Sequence, residues 1–179
     1  TVFSQVAADT LGLNMEDVTV VTGDTDAIAY GWGTLASRSA VVAGLAVFEA
    51  STKVLSRIKN AVADDWEINP EDLSADQGVI FVKGSPSKRT SMQEISEKFS
   101  PGGEYARKYN PGLEEQVYWE PPTVTFASGV HIARVAVDIE TGIVEVLEYF
   151  VVHDCGPLLN PMIVEGQIAG GVAQGIGAA

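Results

Sequence analysis

Phe3, Val6, Ala7 and Leu11 recur at helical spacing and predict a short helix over residues 3–13. Gly12 falls where a left-handed C-cap would sit. The β-branched run Val18-Thr19-Val20-Val21-Thr22 predicts a strand, and Gly23-Asp24-Thr25-Asp26 turns away from it. An irregular stretch follows through Ala29-Tyr30-Gly31-Trp32-Gly33. Residues 34–62 read as one long helix. Its first half is crowded with small residues (Ala36, Ser37, Ser39, Ala40, Ala43, Gly44, Ala46) and is expected to be buried. Its second half is amphipathic and basic.

The middle of the chain is written differently. Asn69-Pro70-Glu71-Asp72 is a turn, Val79-Ile80-Phe81-Val82 a strand, and residues 91–99 a short helix in which Ser91 and Glu94 have capping-box spacing. After the loop Ser100-Pro101-Gly102-Gly103, residues 109–122 are aromatic and proline-rich and are expected to run extended over a surface. A hairpin follows, from strand 130–137 through the turn 138–142 to strand 143–152. Ile132, Arg134 and Ala136 alternate there with Ala133, Val135 and Val137, as on a half-buried strand. The turn Asp154-Cys155-Gly156-Pro157 leads into a Gly-rich helix over residues 161–179. The sum is α+β, with a mixed, largely antiparallel sheet, a long buried helix and a C-terminal Gly-rich helix.

Composition narrows the classes. With 179 residues, 46% of them hydrophobic and 20% charged, the chain fits one domain or a compact piece of a larger one and is not a disordered segment. No run approaches the ~18 consecutive apolar residues of a membrane span, so no transmembrane segment is expected. The net charge of −13 repels phosphate backbones, which argues against nucleic acid as a partner. Nine of the eleven Lys and Arg fall between Lys53 and Lys108, leaving Arg38 and Arg134 isolated in the flanks. One cysteine, Cys155, and two histidines are too few for a protein-built zinc or iron–sulfur site, and the default compartment is cytoplasmic.

Four features carry candidate chemistry. Gly31-Trp32-Gly33-Thr34-Leu35-Ala36-Ser37-Arg38-Ser39 leads into a helix N-terminus, either an ordinary start capped by Thr34 or Ser37, or an anion site completed by Arg38. At the strand-to-helix junction from His153 to Pro161, His153 and Cys155 share one strand face. A Cys–His pair is conceivable there, against a small buried thiol. In the last helix Gly166, Gly170, Gly171, Gly175 and Gly177 imply close approach of a backbone or a flat ligand, and the Gln167 amide suits a heterocycle edge. Glu114, Glu115, Glu120, Asp24 and Asp26 could do acid–base work or hold a divalent cation, or are solvated surface charges.

Taken in order, four segments resemble the molybdenum hydroxylases: Thr1-x-Phe3-x-Gln5, the Gly23-Asp24-Thr25 turn, Gly31-x-Gly33-Thr34-x-x-Ser37-Arg38-Ser39, and Asp154-x-Gly156-x-x-x-Asn160-Pro161-x-x-x-x-Gly166-Gln167. The likeness is to the large subunit of the xanthine dehydrogenase, aldehyde oxidase and aerobic carbon monoxide dehydrogenase family. Asn110-Pro111-Gly112-Leu113 and Glu120-Pro121-Pro122 look closest to the carbon monoxide dehydrogenase-like chains. The resemblance implies that residues 1–179 are an internal piece of the molybdenum-cofactor-binding domain. The family's Gly-Gln-Gly-His motif would precede Thr1, and its glutamate general base lies downstream. No catalytic residue or protein metal ligand is therefore assigned within the chain, and alone it is expected to be inactive.

The same resemblance implies cofactor contacts at Thr1, Ser37, Arg38, Ser39, Asp154, Cys155, Asn160 and Gln167. The cofactor would be molybdenum–molybdopterin in its cytosine dinucleotide form, with iron–sulfur clusters and FAD on partner subunits in a dimer of heterotrimers. The parent reaction would oxidise a small molecule (CO, an aldehyde or an N-heterocycle) with water as oxygen source. The competing reading is a non-catalytic assembly module without cofactor.

Overall fold

The computed structural model describes residues 1–31 and 33–179; Trp32, inside the expected irregular stretch, lies outside the described residues. The chain divides into two units, residues 1–121 and residues 122–179.

Unit 1 is built around helix α2 (Ser39–Trp66). On its second half Val54, Leu55, Ile58, Ala61 and Val62 form one helical stripe. Against it pack Leu73 from β1 (Leu73–Asp76), Ile80 from β2 (Val79–Val82), Ile95 and Phe99 from α3 (Met92–Phe99), and Tyr105 from α4 (Glu104–Tyr109). With β3 (Ser85–Ser91) the strands make an antiparallel sheet in the order β1-β2-β3. Helix α1 (Val2–Leu11) packs on α2 and ends at Gly12, whose φ of 69° is the expected left-handed cap. The carbonyl of Gly12 accepts a bond from the Gly78 N–H, and a Cβ at Gly12 would lie 2.5 Å from the carbonyl carbon of Ala75. The capping box is also present: Ser91 Oγ accepts from the Glu94 N–H while the Glu94 carboxylate accepts from the Ser91 N–H.

Several expectations for unit 1 are corrected. Residues 18–22 form no strand; β-branched residues favour extension, but among the described residues no strand pairs with them, and Val21 is 74% exposed. The long helix starts at Ser39, not residue 34, and runs on to Trp66. Its buried residues lie mostly in the second half; in the first half, among the described residues, Gly44 and Ser51 alone are buried, because the sheet, α3 and α4 cover the other end. By length and mean hydropathy (1.3), α2 is also long and apolar enough to cross a membrane, contrary to the run-length reading. Its second half instead forms the core of unit 1. The short elements β1, β3 and α4 have too few residues for periodicity to reveal.

Unit 2 is the expected hairpin and terminal helix. β4 (Ser128–Val137) pairs antiparallel with β5 (Val144–Asp154), and α5 (Pro161–Ala178) follows. Asp138 closes the hairpin turn by accepting from the N–H groups of Thr141 and Glu140, which holds its carboxyl below the usual range. The half-buried reading of the strands fails. Every residue of β4 is exposed, and in β5 only Tyr149 and Val151 are half-buried.

Candidate functional site

The first group of candidate residues lies where an irregular loop becomes α2. Gly33, Ala36 and Ser37 all have positive φ (76°, 50° and 55°), and Arg38 returns to the right-handed region at φ −90°, ψ −2°. Glycine adopts positive φ freely, but for Ala and Ser it is strained, so tertiary context must hold this loop. A left-handed residue followed by a right-handed one turns successive N–H groups toward one side, the arrangement that makes an anion-binding concavity.

Thr34 and Ser37 do not cap the helix. Arg38 occupies the N-cap position, and its side chain makes no capping bond. The Arg38 N–H donates to the Leu35 carbonyl at 3.0 Å, and Ser39 Oγ donates to Thr34 Oγ1 at 2.9 Å. Of the two isolated cations, Arg134 is paired with Glu148 at 2.8 Å, whereas Arg38 has no ion pair among the described residues. The 28-residue helix thus begins with backbone donors, two serine hydroxyls and one guanidinium in three consecutive residues. This donor set fits a phosphate-bearing group. Thr1 stands at the N-cap of α1, its carbonyl accepting from the Gln5 N–H. The strained Ala36 belongs to this loop's geometry without any signal in the sequence, since alanine favours helix.

The second group lies at the β5–α5 junction of unit 2. Asp154 ends the strand, and its Oδ1 accepts from the Gly156 N–H at 2.9 Å, closing a turn that needs the positive φ of Gly156 (76°). Cys155, between them, is exposed, so the buried-thiol reading is corrected. Asn160 caps α5, its Oδ1 accepting from the Ile163 N–H at 3.1 Å, and Pro161 takes the first helical position. Gln167, seven residues after Asn160, returns to the same side of the helix two turns on, and its side chain is exposed. Asn160 therefore has a structural task, with its amide nitrogen as the donor end.

Among the described residues of unit 2, the five helix glycines do not serve close packing. At each of them a Cβ would have no heavy atom beyond the helix's own backbone within 4 Å. Two hollows in unit 1 are lined by none of the candidate residues. One, of about 600 Å³, lies beside Trp66 and Arg89; the other, of about 260 Å³, lies beside Asp64 and Tyr105. Of the carboxylates singled out, Glu115 binds Arg57 and Asp24 closes its own turn by accepting from the Asp26 and Ala27 N–H groups.

The chain is thus an α+β protein with two exposed, glycine-turned polar junctions that carry hydroxyl, amide and backbone donors. The molybdopterin cofactor-binding domain model matches residues 1–179, and the chain belongs to that family. It is 37% identical over 178 residues to the nicotine 6-hydroxylase large subunit of Paenarthrobacter nicotinovorans, covering 99% of this chain and 22% of that protein. It is 36% identical to the carbon monoxide dehydrogenase large chain of Hydrogenophaga pseudoflava, covering 98% and 22%. The solved quinoline 2-oxidoreductase of Pseudomonas putida 86 superposes with a TM-score of 0.88 at 35% identity, covering 99% of this chain and 22% of that one. The chain thus spans about a fifth of the length of these relatives. A match through all 179 residues disfavours the assembly-module reading.

Proposed function

We propose that these residues are the part of a molybdenum hydroxylase large subunit that grips the cofactor through Thr1, Ser37, Arg38, Ser39, Asp154, Cys155, Asn160 and Gln167. The observation that carries this reading is the junction at Ser37–Ser39, a positive-φ serine followed by an N-cap arginine that has no ion pair among the described residues, within a chain matched end to end by the family model. Ser37, Arg38 and Ser39 would hold anionic oxygen through hydroxyl, guanidinium and backbone donors. Asn160 and Gln167 would meet heterocycle edges, and Asp154 would fix the turn that presents Cys155 as a wall. When bound, the molybdenum–molybdopterin group supplies the redox chemistry by which oxygen from water enters the substrate.

The finer reading is the cytosine dinucleotide form, a cytoplasmic parent enzyme assembled as a dimer of heterotrimers with iron–sulfur and FAD subunits, and a substrate that is CO, an aldehyde or an N-heterocycle. The relatives named for nicotine, quinoline and carbon monoxide support the CO and N-heterocycle parts of that range. The general base is assigned to none of these residues.

The test uses the full-length subunit with its partners. On denaturation it should release molybdenum, a fluorescent pterin oxidation product and a cytosine nucleotide. Arg38→Ala and Gln167→Ala should each lower the molybdenum retained per subunit. Full occupancy in both variants overturns the residue assignment, and absence of any pterin in the parent protein overturns the function.

A further inference from the structure

Residues 113–120 of unit 1 have the habit of a β-strand without a partner. They contain no turn, bend or positive φ. Their burial alternates: Leu113, Glu115, Val117 and Trp119 are half-buried, while Glu114, Gln116, Tyr118 and Glu120 are exposed. That period of two is the side-chain period of extended backbone. The Gln116 amide nitrogen donates to Tyr118 Oη at 3.0 Å, so side chains two positions apart share the outer face. Val117, Tyr118 and Trp119 are also strand-favouring residues. Yet among the described residues none of the N–H groups from Leu113 to Glu120 donates a hydrogen bond. Of their carbonyls only that of Glu114 accepts one, from Arg57 at 3.3 Å. In extended chain the N–H and C=O of one residue point to one edge, and those of the next residue to the other. The Glu114 edge is therefore turned toward Arg57, and the edge of Leu113, Glu115, Val117 and Trp119 is wholly unpaired.

We infer that this open edge receives an added strand, and that the strand comes from the large subunit outside residues 1–179. Main-chain hydrogen bonds supply the grip in such an addition, and alternate side chains the selectivity. The outer face sets the chemistry of the incoming segment: Glu114 and Glu120 call for Lys or Arg at positions that lie beside them. A second copy of this chain is a poor occupant. Antiparallel pairing about Val117 would set Glu114 opposite Glu120, where like charges repel, and each copy carries a net charge of −13. A strand of the same subunit arrives at the effective concentration of a tethered segment, and the chain spans only about a fifth of the length of its relatives. Once filled, the edge no longer offers a template for aggregation. The inference rests on the proposed large-subunit reading for the source of the strand.

The experiment is residue-resolved amide hydrogen exchange on the full-length subunit with its partners. The amides of Glu115, Val117 and Trp119 should exchange about a hundredfold more slowly than in an unstructured chain, and those of Gln116 and Tyr118 about tenfold faster than these three. Val117→Pro keeps nearly the same volume but removes the central donor of the open edge, and should cut protection at Glu115 and Trp119 by about tenfold. Tyr118→Pro removes a donor of the other edge and should change that protection less than about threefold. The source of the strand is read by replacing Tyr118 with a benzophenone side chain, which on illumination should cross-link to the same large subunit outside residues 1–179. Exchange that is uniform through 114–120, exchange slow only at the even positions, or equal effects of the two proline variants overturns the edge. Where a proline variant does not fold, the alternation in the unsubstituted subunit decides. A cross-link to a second copy or to a partner subunit, or no cross-link, overturns the source. A parent protein that yields no pterin defeats the cofactor reading instead and leaves the exchange pattern to decide this one.

Discussion

At the scale of single residues, glycines that look alike in the sequence have opposite roles. Gly12 combines positive φ with backbone 2.5 Å from where its Cβ would be. Gly12→Ala is therefore expected to destabilise unit 1 by about 2 kcal/mol or more, read as a lowered denaturant midpoint at unchanged m-value. Gly170 lies inside α5 with nothing near its Cβ position. Gly170→Ala should stabilise the helix by about 0.5–1 kcal/mol. If the glycine face receives the cofactor, that same variant will hold less molybdenum despite its firmer helix. Phe99→Ala, at 1% exposure among Tyr105, Tyr109 and Leu73, should cost about 3–5 kcal/mol by the cavity it leaves. Gly12, Ser91 and Glu94 are legible as caps because capping depends on chemistry within a few residues. The positive φ of Ala36 and Ser37 is not, because alanine prefers helix and only distant contacts could hold the loop otherwise.

At the scale of elements, α4 shows how a six-residue helix survives without periodicity. Two consecutive aspartates at the end of α2 hold it. Asp65 accepts from Lys98 (3.0 Å) and Tyr105 Oη (2.9 Å), and Asp64 accepts from Lys108 (2.8 Å) and Tyr109 Oη. The Lys98 bond, then the Tyr105 bond, hold the Asp65 carboxyl below its ordinary value, and the Lys108 and Tyr109 bonds do the same for Asp64. Burial raises both tyrosine hydroxyls. A carboxylate whose pKa is lowered on folding stabilises fully above its unfolded value near 3.8 and loses that contribution as pH falls through the lower, folded value. Exchange protection across Glu104–Tyr109 should then stay flat from neutral pH down to about 5 and fall below about 4. Asp65→Asn should weaken protection already at neutral pH; protection unaltered by that variant would show the clamp to be idle. These bonds join residues some forty positions apart, so a sequence window cannot anticipate α4. For the opposite reason residues 18–22 mislead: β-branched chemistry is local, but a strand exists only where another strand pairs with it.

For the molecule as a whole, the decisive surface is the hairpin of unit 2. Val130, Ile132, Phe150 and Val152 face each other across the β4–β5 ladder as the pairs Val130↔Val152 and Ile132↔Phe150, and each is more than half exposed. Alternation suggests that one face would be covered, yet the face of these four side chains is open and the other is half-buried only at Tyr149 and Val151. Self-association is argued better from this sheet than from the Gly-rich helix, although Met162 of α5 is also 71% exposed. Covering the four side chains would recover about 4 kcal/mol per chain. That is comparable to the lower estimates of what association costs in lost freedom, about 4–15 kcal/mol. The net charge of −13 on each copy opposes contact at long range. The balance is thus marginal at low salt and should tip toward association as salt shortens the screening length from about 10 Å at 0.1 M to about 3 Å at 1 M. Sedimentation of the 179-residue chain should show its weight-average mass rising with both protein and salt concentration. Phe150→Lys should suppress that rise while leaving the β4–β5 ladder intact, because position 150 faces away from the half-buried Tyr149 and Val151. A chain that stays monomeric through 1 M salt, or a Phe150→Lys variant that associates as the parent does, would place the apolar drive elsewhere than on this face.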